Sequence, residues 1–109
     1  MILSYGILKE RNPMKAILQT SDMNGHQADY PRCDVIQSNI KFRGQRIKLE
    51  NIQAIHQGEI RTILLLRDGT EFYSQEKVKG SIEIRVESLD ETQKIDAKII
   101  KHLELIVDK

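Results

Sequence analysis

The chain has 109 residues, 39% hydrophobic and 30% charged, which is typical of one globular domain and excludes a disordered chain. Its formal net charge of +1 gives a weak overall field, so the totals select no charged partner. A single cysteine excludes an internal disulfide, and the lack of a signal-peptide pattern or of about 20 consecutive apolar residues predicts a cytoplasmic protein without membrane spans.

β-Branched residues dominate the apolar part of the sequence, where sixteen isoleucines and four valines stand against five aromatic residues. Because branched side chains suit a pleated, half-buried surface, this bias favours sheet. Residues 1–13 are predicted as an N-terminal tail or an extra edge strand, and residues 14–109 as a single β-rich domain. Its first segment, residues 14–20, fits either a short strand or a helical turn, because so short a run is ambiguous.

Residues 21–34, SDMNGHQADYPRCD, are rich in turn-forming residues and show no apolar period. This composition predicts a long loop, and long loops in compact domains are often functional. Three side chains make it a candidate ligand-binding loop, namely His26, Tyr30 and Cys33. Cys33 with His26 would serve as a nucleophile and its base, whereas one Cys and scattered His residues do not supply a zinc site. The structural alternative is a buried, inert Cys33.

The segment IKFRGQRIKL, residues 40–49, carries four cations and no acid. Apolar and cationic side chains alternate on both sides of Gly44-Gln45, which predicts a hairpin with a type II′ turn at this pair. In that register Arg43 faces Arg46 and Lys41 faces Lys48, so one face is cationic and the other apolar.

A second hairpin is predicted at residues 61–74, RTILLLRDGTEFYS, because its Asp-Gly pair suits a type I′ turn. This turn places Leu65 opposite Phe72. Residues 81–88 alternate apolar and charged side chains, which predicts a half-buried strand after the hairpin.

The C-terminal segment has two interpretations. Ile95, Ile99, Leu103 and Ile106 share one helical face, and a capping box beginning at Ser88 fits the start of a C-terminal helix.

A weak internal similarity favours a strand instead. Residues 47–55, IKLENIQAI, and residues 95–103, IDAKIIKHL, repeat the same spacing of apolar positions. The first copy suits a strand, a tight helical turn and another strand. If the second copy folds the same way, the chain ends in a β-strand built on Leu103, Leu105 and Val107.

Short strands joined by tight hairpins predict a mainly β fold, either a small barrel or a β-roll. In this pattern the chain resembles the SH3-like and Sm-like small barrels. The alternative is an α+β fold in which a C-terminal helix packs on an antiparallel sheet.

The basic hairpin is the main candidate site. Residues 32–48 hold five cations against one acid, whereas residues 49–109 hold nine cations against twelve acids. The predicted polyanion-binding residues are Arg32, Lys41, Arg43, Arg46 and Lys48. Opposed cations destabilise a hairpin, so a chain that keeps them indicates an anionic partner such as RNA or DNA. The structural alternative is that these cations protect an exposed edge or are covered by acids from the second half.

Three functional hypotheses follow from these patterns. The first is a small non-enzymatic binding or regulatory module that holds nucleic acid on the basic hairpin. The second is a protein–protein adaptor, inhibitor or immunity-type module that forms a homodimer through its Ile-rich sheet. The third is a small enzyme or ligand carrier that uses residues 21–34. No glycine motif of a phosphate or dinucleotide site occurs, so no cofactor is predicted.

Overall fold

The computed structural model of the chain describes residues 14–86 and 91–106. The predicted tail or edge strand at 1–13, the capping box that begins at Ser88 and the strand position at Val107 lie outside these described residues. Within the two described ranges, no helix has the length and apolar character needed to cross a membrane.

Nine strands and two single-turn 3₁₀ helices make up the described part of the chain. The strands are β1 (Met14–Ser21), β2 (Gln27–Phe42), β3 (Gln45–Ile47), β4 (Ile52–Gln57), β5 (Thr62–Leu66), β6 (Glu71–Ser74), β7 (Lys79–Val86), β8 (Thr92–Asp96) and β9 (Ile100–Ile106). The 3₁₀ helices η1 (Leu49–Asn51) and η2 (Ala97–Ile99) directly precede β4 and β9. The prediction of a mainly β fold is therefore confirmed.

The strands form one antiparallel sheet in the order β6-β5-β4-β9-β1-β2-β7-β8, with β3 paired to the end of β2. The sheet is curled. Four strands lie between β2 and β6 in the sheet, yet the ring centroids of Phe42 on β2 and Phe72 on β6 are only 6.4 Å apart. Hydrogen bonding does not close it into a barrel, since β6 and β8 are the two ends of the described path. The inner face holds the core, whose fully buried side chains include Leu18, Ile40, Ile55, Leu64 and Leu103.

The internal similarity corresponds to a repeated local structure. Each copy forms a strand, a 3₁₀ turn and a second strand, as β3-η1-β4 and as β8-η2-β9. The second strands of the two copies pair with each other, with Ile55 opposite Leu103. Leu103 and Leu105 are buried while Glu104 is exposed, which is the period of two of a half-buried strand. The alternative with a C-terminal helix is therefore wrong.

The basic hairpin forms, but its turn lies one residue earlier than predicted. Arg43 and Gly44 are the two turn residues, with φ of 54° and 82°, as a type I′ turn requires. Lys41 consequently pairs with Arg46 rather than with Lys48, and Phe42 pairs with Gln45. The pairing moves by two positions, so each side chain keeps the face that the alternation assigned to it.

The second hairpin also forms with a different register. Leu64, not Leu65, lies opposite Phe72. The loop has three residues instead of two, because the Leu66 N–H donates to the Thr70 carbonyl at 2.9 Å and only Gly69 in this loop has a positive φ. A three-residue loop with glycine in the left-handed region is the next most common hairpin connection. The predicted two-residue turn is therefore wrong, and Phe72 shares the inner face with Leu64.

The long loop predicted at 21–34 is wrong. β1 continues to Ser21 and β2 begins at Gln27, so the connection is a short turn. Pro31 lies inside β2, where the β1 register shifts between the pairs Ala16–Cys33 and Leu18–Tyr30. A bulge at this place accommodates the missing N–H of proline within a sheet, which is why the turn-forming composition does not break the strand.

Gln57, at the end of β4, makes the largest set of buried side-chain hydrogen bonds among the described residues. Its Nε2 donates to the carbonyl oxygens of Ala97 at 3.0 Å and Ile100 at 2.6 Å. Its Oε1 accepts from the Val78 N–H at 2.8 Å and from the Thr62 hydroxyl at 3.4 Å. The amide is 4% exposed, so it satisfies four polar groups that water does not reach.

We expect Gln57→Leu to lower the free energy of unfolding by about 3 kcal/mol, because the buried Ile100 carbonyl, Val78 N–H and Thr62 hydroxyl each lose a hydrogen bond. Gln53→Leu is the matched control, since Gln53 is exposed on the same strand, and it should change stability by no more than about 0.5 kcal/mol. Urea denaturation followed by circular dichroism measures both. Equal effects of the two substitutions would contradict a structural role for the buried amide.

Candidate functional site

Three cations lie side by side on the outer face of the sheet. Lys41 of β2 pairs with Arg46 of β3 on one side and with Lys79 of β7 on the other. Residues directly opposite each other in antiparallel strands project from the same face, so the three side chains form one line across three strands. All three are exposed. We call Arg46, Lys41 and Lys79 the cationic row.

The local sequence holds this row in place. The neighbours of Lys41 on β2, Ile40 and Phe42, are buried in the core, so alternation directs Lys41 outward. Gly80 lies opposite Ile40 with a φ of 102°, and a Cβ on it would come within 1.8 Å of the Asn39 carbonyl oxygen. Only glycine allows so close a backbone approach, and this approach sets Lys79 beside Lys41.

The other predicted cations lie at different distances from the row. Arg43 is exposed in the turn, and Lys48 is exposed between β3 and η1. Arg32 precedes Lys41 by nine residues on β2, which is about 30 Å along a strand. The structure therefore places Arg43 and Lys48 near the row and Arg32 far from it, so grouping Arg32 with the hairpin was wrong.

In the described part of the chain, no carboxylate forms an ion pair with the cationic row. Within residues 14–86 and 91–106, no ion pair joins an acid to Lys41, Arg43, Arg46, Lys48 or Lys79. The next positions along β2 and β7 on this face are the neutral Asn39 and Ser81, which lie opposite each other. The acid nearest in register is Asp96, opposite Ser81, and its carboxylate accepts from the Lys98 N–H at 2.9 Å.

An apolar pocket opens at the tip of the same hairpin. It has a volume of about 270 Å³ and is lined by Phe42, Arg43, Gln45, Ile47, Leu64 and Phe72. The two phenylalanine rings are tilted by 56°. Phe42 is buried, whereas Phe72 is 38% exposed, so an aromatic surface is accessible to solvent inside the pocket. We call this cavity the aromatic pocket.

Sequence reasoning did not find the aromatic pocket. The predicted register put Phe72 opposite Leu65, on the other face of β5. In addition, β6 meets β2 only through the curl of the sheet, for which local patterns carry no signal. The exposed cations, by contrast, follow directly from alternation along residues 40–49.

The three residues of the predicted ligand loop do not come together. His26 is exposed in the β1–β2 turn, where its backbone N–H donates to the Asp22 carboxylate at 2.8 Å. That bond is the main cause of a lowered pKa at Asp22. Tyr30 is half-buried, and its hydroxyl donates to Gln93 Oε1 at 3.2 Å.

Cys33 lies in the core. Its thiol is fully buried and faces the Ala16 carbonyl at an S–O distance of 3.6 Å. Cys33 is the sixth residue of β2 after Gln27, the residue that follows His26, which is a span of about 20 Å. His26 therefore lies too far away to act as a base for this thiol, and the predicted pairing is wrong. The described residues also contain no group of three or more His, Cys, Asp or Glu arranged to hold a metal ion.

Comparisons with known proteins add no functional assignment. No protein-family model matches the chain, and no curated protein and no solved structure shows significant similarity to it. Any functional argument therefore depends on the geometry of the chain itself.

Burial raises the pKa of the Cys33 thiol to about 11 from 9.0, and the Asp34 carboxylate adds to this effect. Between pH 9 and pH 11 the folded protein keeps the thiol proton of Cys33, while the unfolded chain loses it. The contribution of this thiol to the free energy of unfolding is therefore fully present below pH 9 and is lost as the pH rises toward 11. We expect a loss of about 2–3 kcal/mol from this group. Urea denaturation at pH 8, 9, 10 and 11 measures it, with Cys33→Ala lacking this part of the decline. Parallel pH profiles for the two proteins would contradict it.

Proposed function

We propose that the protein is a small non-enzymatic binding module that holds RNA or DNA on the outer face of the β2–β3 hairpin. The observation that carries this proposal is the cationic row, in which Arg46, Lys41 and Lys79 are adjacent, exposed and without an acidic partner in the described residues. A cytoplasmic location agrees with it. The resemblance to SH3-like or Sm-like small barrels stays a prediction that the proposal does not require.

The energetics of the row support an anionic partner. Like charges directly opposite each other destabilise a sheet by roughly 0.2–1 kcal/mol per pair, and the row contains two such pairs. The negative charges of a line of phosphates would offset this repulsion. Binding would also release the counterions that are condensed on the nucleic acid. Because phosphates are the same at every position, this contact provides affinity and little sequence discrimination.

Protection of a sheet edge explains the row less well. Lysine and arginine often block an exposed edge strand from pairing with other chains, and β3 is such a strand, since among the described strands it pairs with β2 alone. Lys41 and Lys79, however, lie on strands that are paired on both sides at or near these positions. Edge protection accounts for Arg46 alone.

Reversing the charge of the row tests the proposal. We expect Lys41→Glu with Arg46→Glu to weaken binding to oligonucleotides at 50 mM salt by at least about tenfold. For the native protein, three phosphate contacts predict a slope near −2.7 for log K against log salt on duplex DNA and near −2 on single strands. Fluorescence anisotropy measures both quantities.

The matched control is Lys94→Glu with Lys101→Glu, which makes the same change of charge at exposed positions of β8 and β9 outside the row. It should retain most of the affinity. Equal losses in the two double variants would point to net charge rather than to the row. No binding of the native protein at low salt would remove the proposal.

A second candidate function is a protein–protein module that acts as a homodimer. The observation in its favour is the edge strand β6, which ends the described sheet and carries Tyr73 at 53% exposure, next to Ile60 at 77%. Two copies joined along β6 in an isologous contact would extend the sheet and cover both side chains.

Light scattering tests this candidate. At about 100 μM we expect a mass of twice the chain for the native protein, because burial of apolar surface drives such association. We expect the mass of one chain for Ile60→Lys with Tyr73→Lys, because two lysines at a symmetric contact repel. A native protein that stays monomeric at this concentration would contradict the homodimer.

A further inference from the structure

We propose that the bound nucleic acid is single-stranded and that one of its bases enters the aromatic pocket. This inference rests on the proposed function and adds to it the strandedness of the ligand and a second contact. The cationic row would hold phosphates, and the pocket at the tip of the hairpin would hold an unpaired base.

The dimensions of the aromatic pocket suit one planar ring system. Its volume of about 270 Å³ lies just below the range of roughly 300–1,000 Å³ that drug-sized ligands occupy. Four of its six lining residues are apolar, and the Phe72 ring is accessible from the solvent side. Every nucleobase has an apolar face that stacks on an aromatic side chain, whatever its sequence identity.

The rim of the pocket connects it to the charged surface. Arg43 lines the pocket and follows Lys41 by two residues on the same hairpin, which is about 7 Å along a strand. Gln45 also lines the pocket and is exposed, and its amide both donates and accepts hydrogen bonds, as the edge of a base requires. The cationic row lies on the outer face of β2 and the pocket on its inner face, so a nucleic-acid backbone that passes around the turn at Arg43 brings one of its bases within reach of the pocket.

Only an unpaired base has this freedom. In a duplex the bases are stacked and paired along the axis, whereas single strands can turn bases outward onto aromatic side chains. Duplex DNA would therefore contact the cationic row without filling the pocket. The protein should prefer single strands because they make both contacts.

Fluorescence anisotropy with ten-nucleotide probes tests this inference. We expect a single strand to bind at least about tenfold more tightly than a duplex of the same sequence. Phe72→Ala should weaken single-strand binding by about 5- to 150-fold, the effect of losing one stacked base. It should leave duplex binding and the salt dependence of single-strand binding unchanged, because no phosphate contact is lost.

Two further variants separate stacking from folding. Phe72→Leu keeps an apolar side chain opposite Leu64 but removes the aromatic face, so it should lose most of the single-strand preference while circular dichroism stays native. Ile36→Ala is the matched control, since Ile36 of β2 is an apolar side chain with a similar exposed fraction, 41%, and does not line the pocket. It should bind like the native protein.

The outcomes distinguish the inference from the proposed function. If single strand, duplex and a fully abasic strand bind equally, and only the charge reversal of the row weakens them, the base contact is overturned while the proposed function stands. If Phe72→Leu retains the single-strand preference, the base contact is likewise overturned. If the native protein binds none of the three probes at low salt, the proposed function fails and the inference fails with it.

Discussion

The architecture depends on one buried amide. The Gln57 side chain joins the end of β4 to β5 through Thr62, to the segment before β7 through Val78 and to η2 through two carbonyl oxygens. β5 and β9 are the direct neighbours of β4 in the sheet, but three strands lie between β4 and β7, so the Val78 bond joins parts of the sheet that strand pairing leaves apart. Because all four bonds are shielded from water, the amide fixes their relative positions strongly. The bond to Val78 spans the same curl of the sheet that brings Phe72 to Phe42.

Local patterns were sufficient to predict a mainly β fold and the faces of the strands in the basic hairpin. The alternation of residues 40–49 predicted a hairpin with Lys41 and Arg46 on a common outer face, and this holds although the turn lies at Arg43-Gly44. The repeated spacing at residues 47–55 and 95–103 predicted two strand–turn–strand units. Such patterns succeed because burial of every second side chain is a strong constraint within a single hairpin.

Non-local contacts could not be predicted in this way. Lys79 joins the cationic row because β7 pairs with β2, and the close approach at Gly80 is visible only in the folded chain. The turn-forming residues around Pro31 indicated a loop, yet a bulge keeps them inside β2. The aromatic pocket depends on the loop length at Gly69, which sets the face of Phe72. Each difference arises where tertiary pairing outweighs local preference.

The turn at Arg43 has a consequence for the design of more robust variants. A residue with a side chain costs about 1–2 kcal/mol in the left-handed region, and asparagine or glycine occupies it more easily. The chain nevertheless holds an arginine there at a φ of 54°. A version optimised for heat resistance alone would therefore replace this guanidinium first, and it would lose a cation from the hairpin tip by doing so.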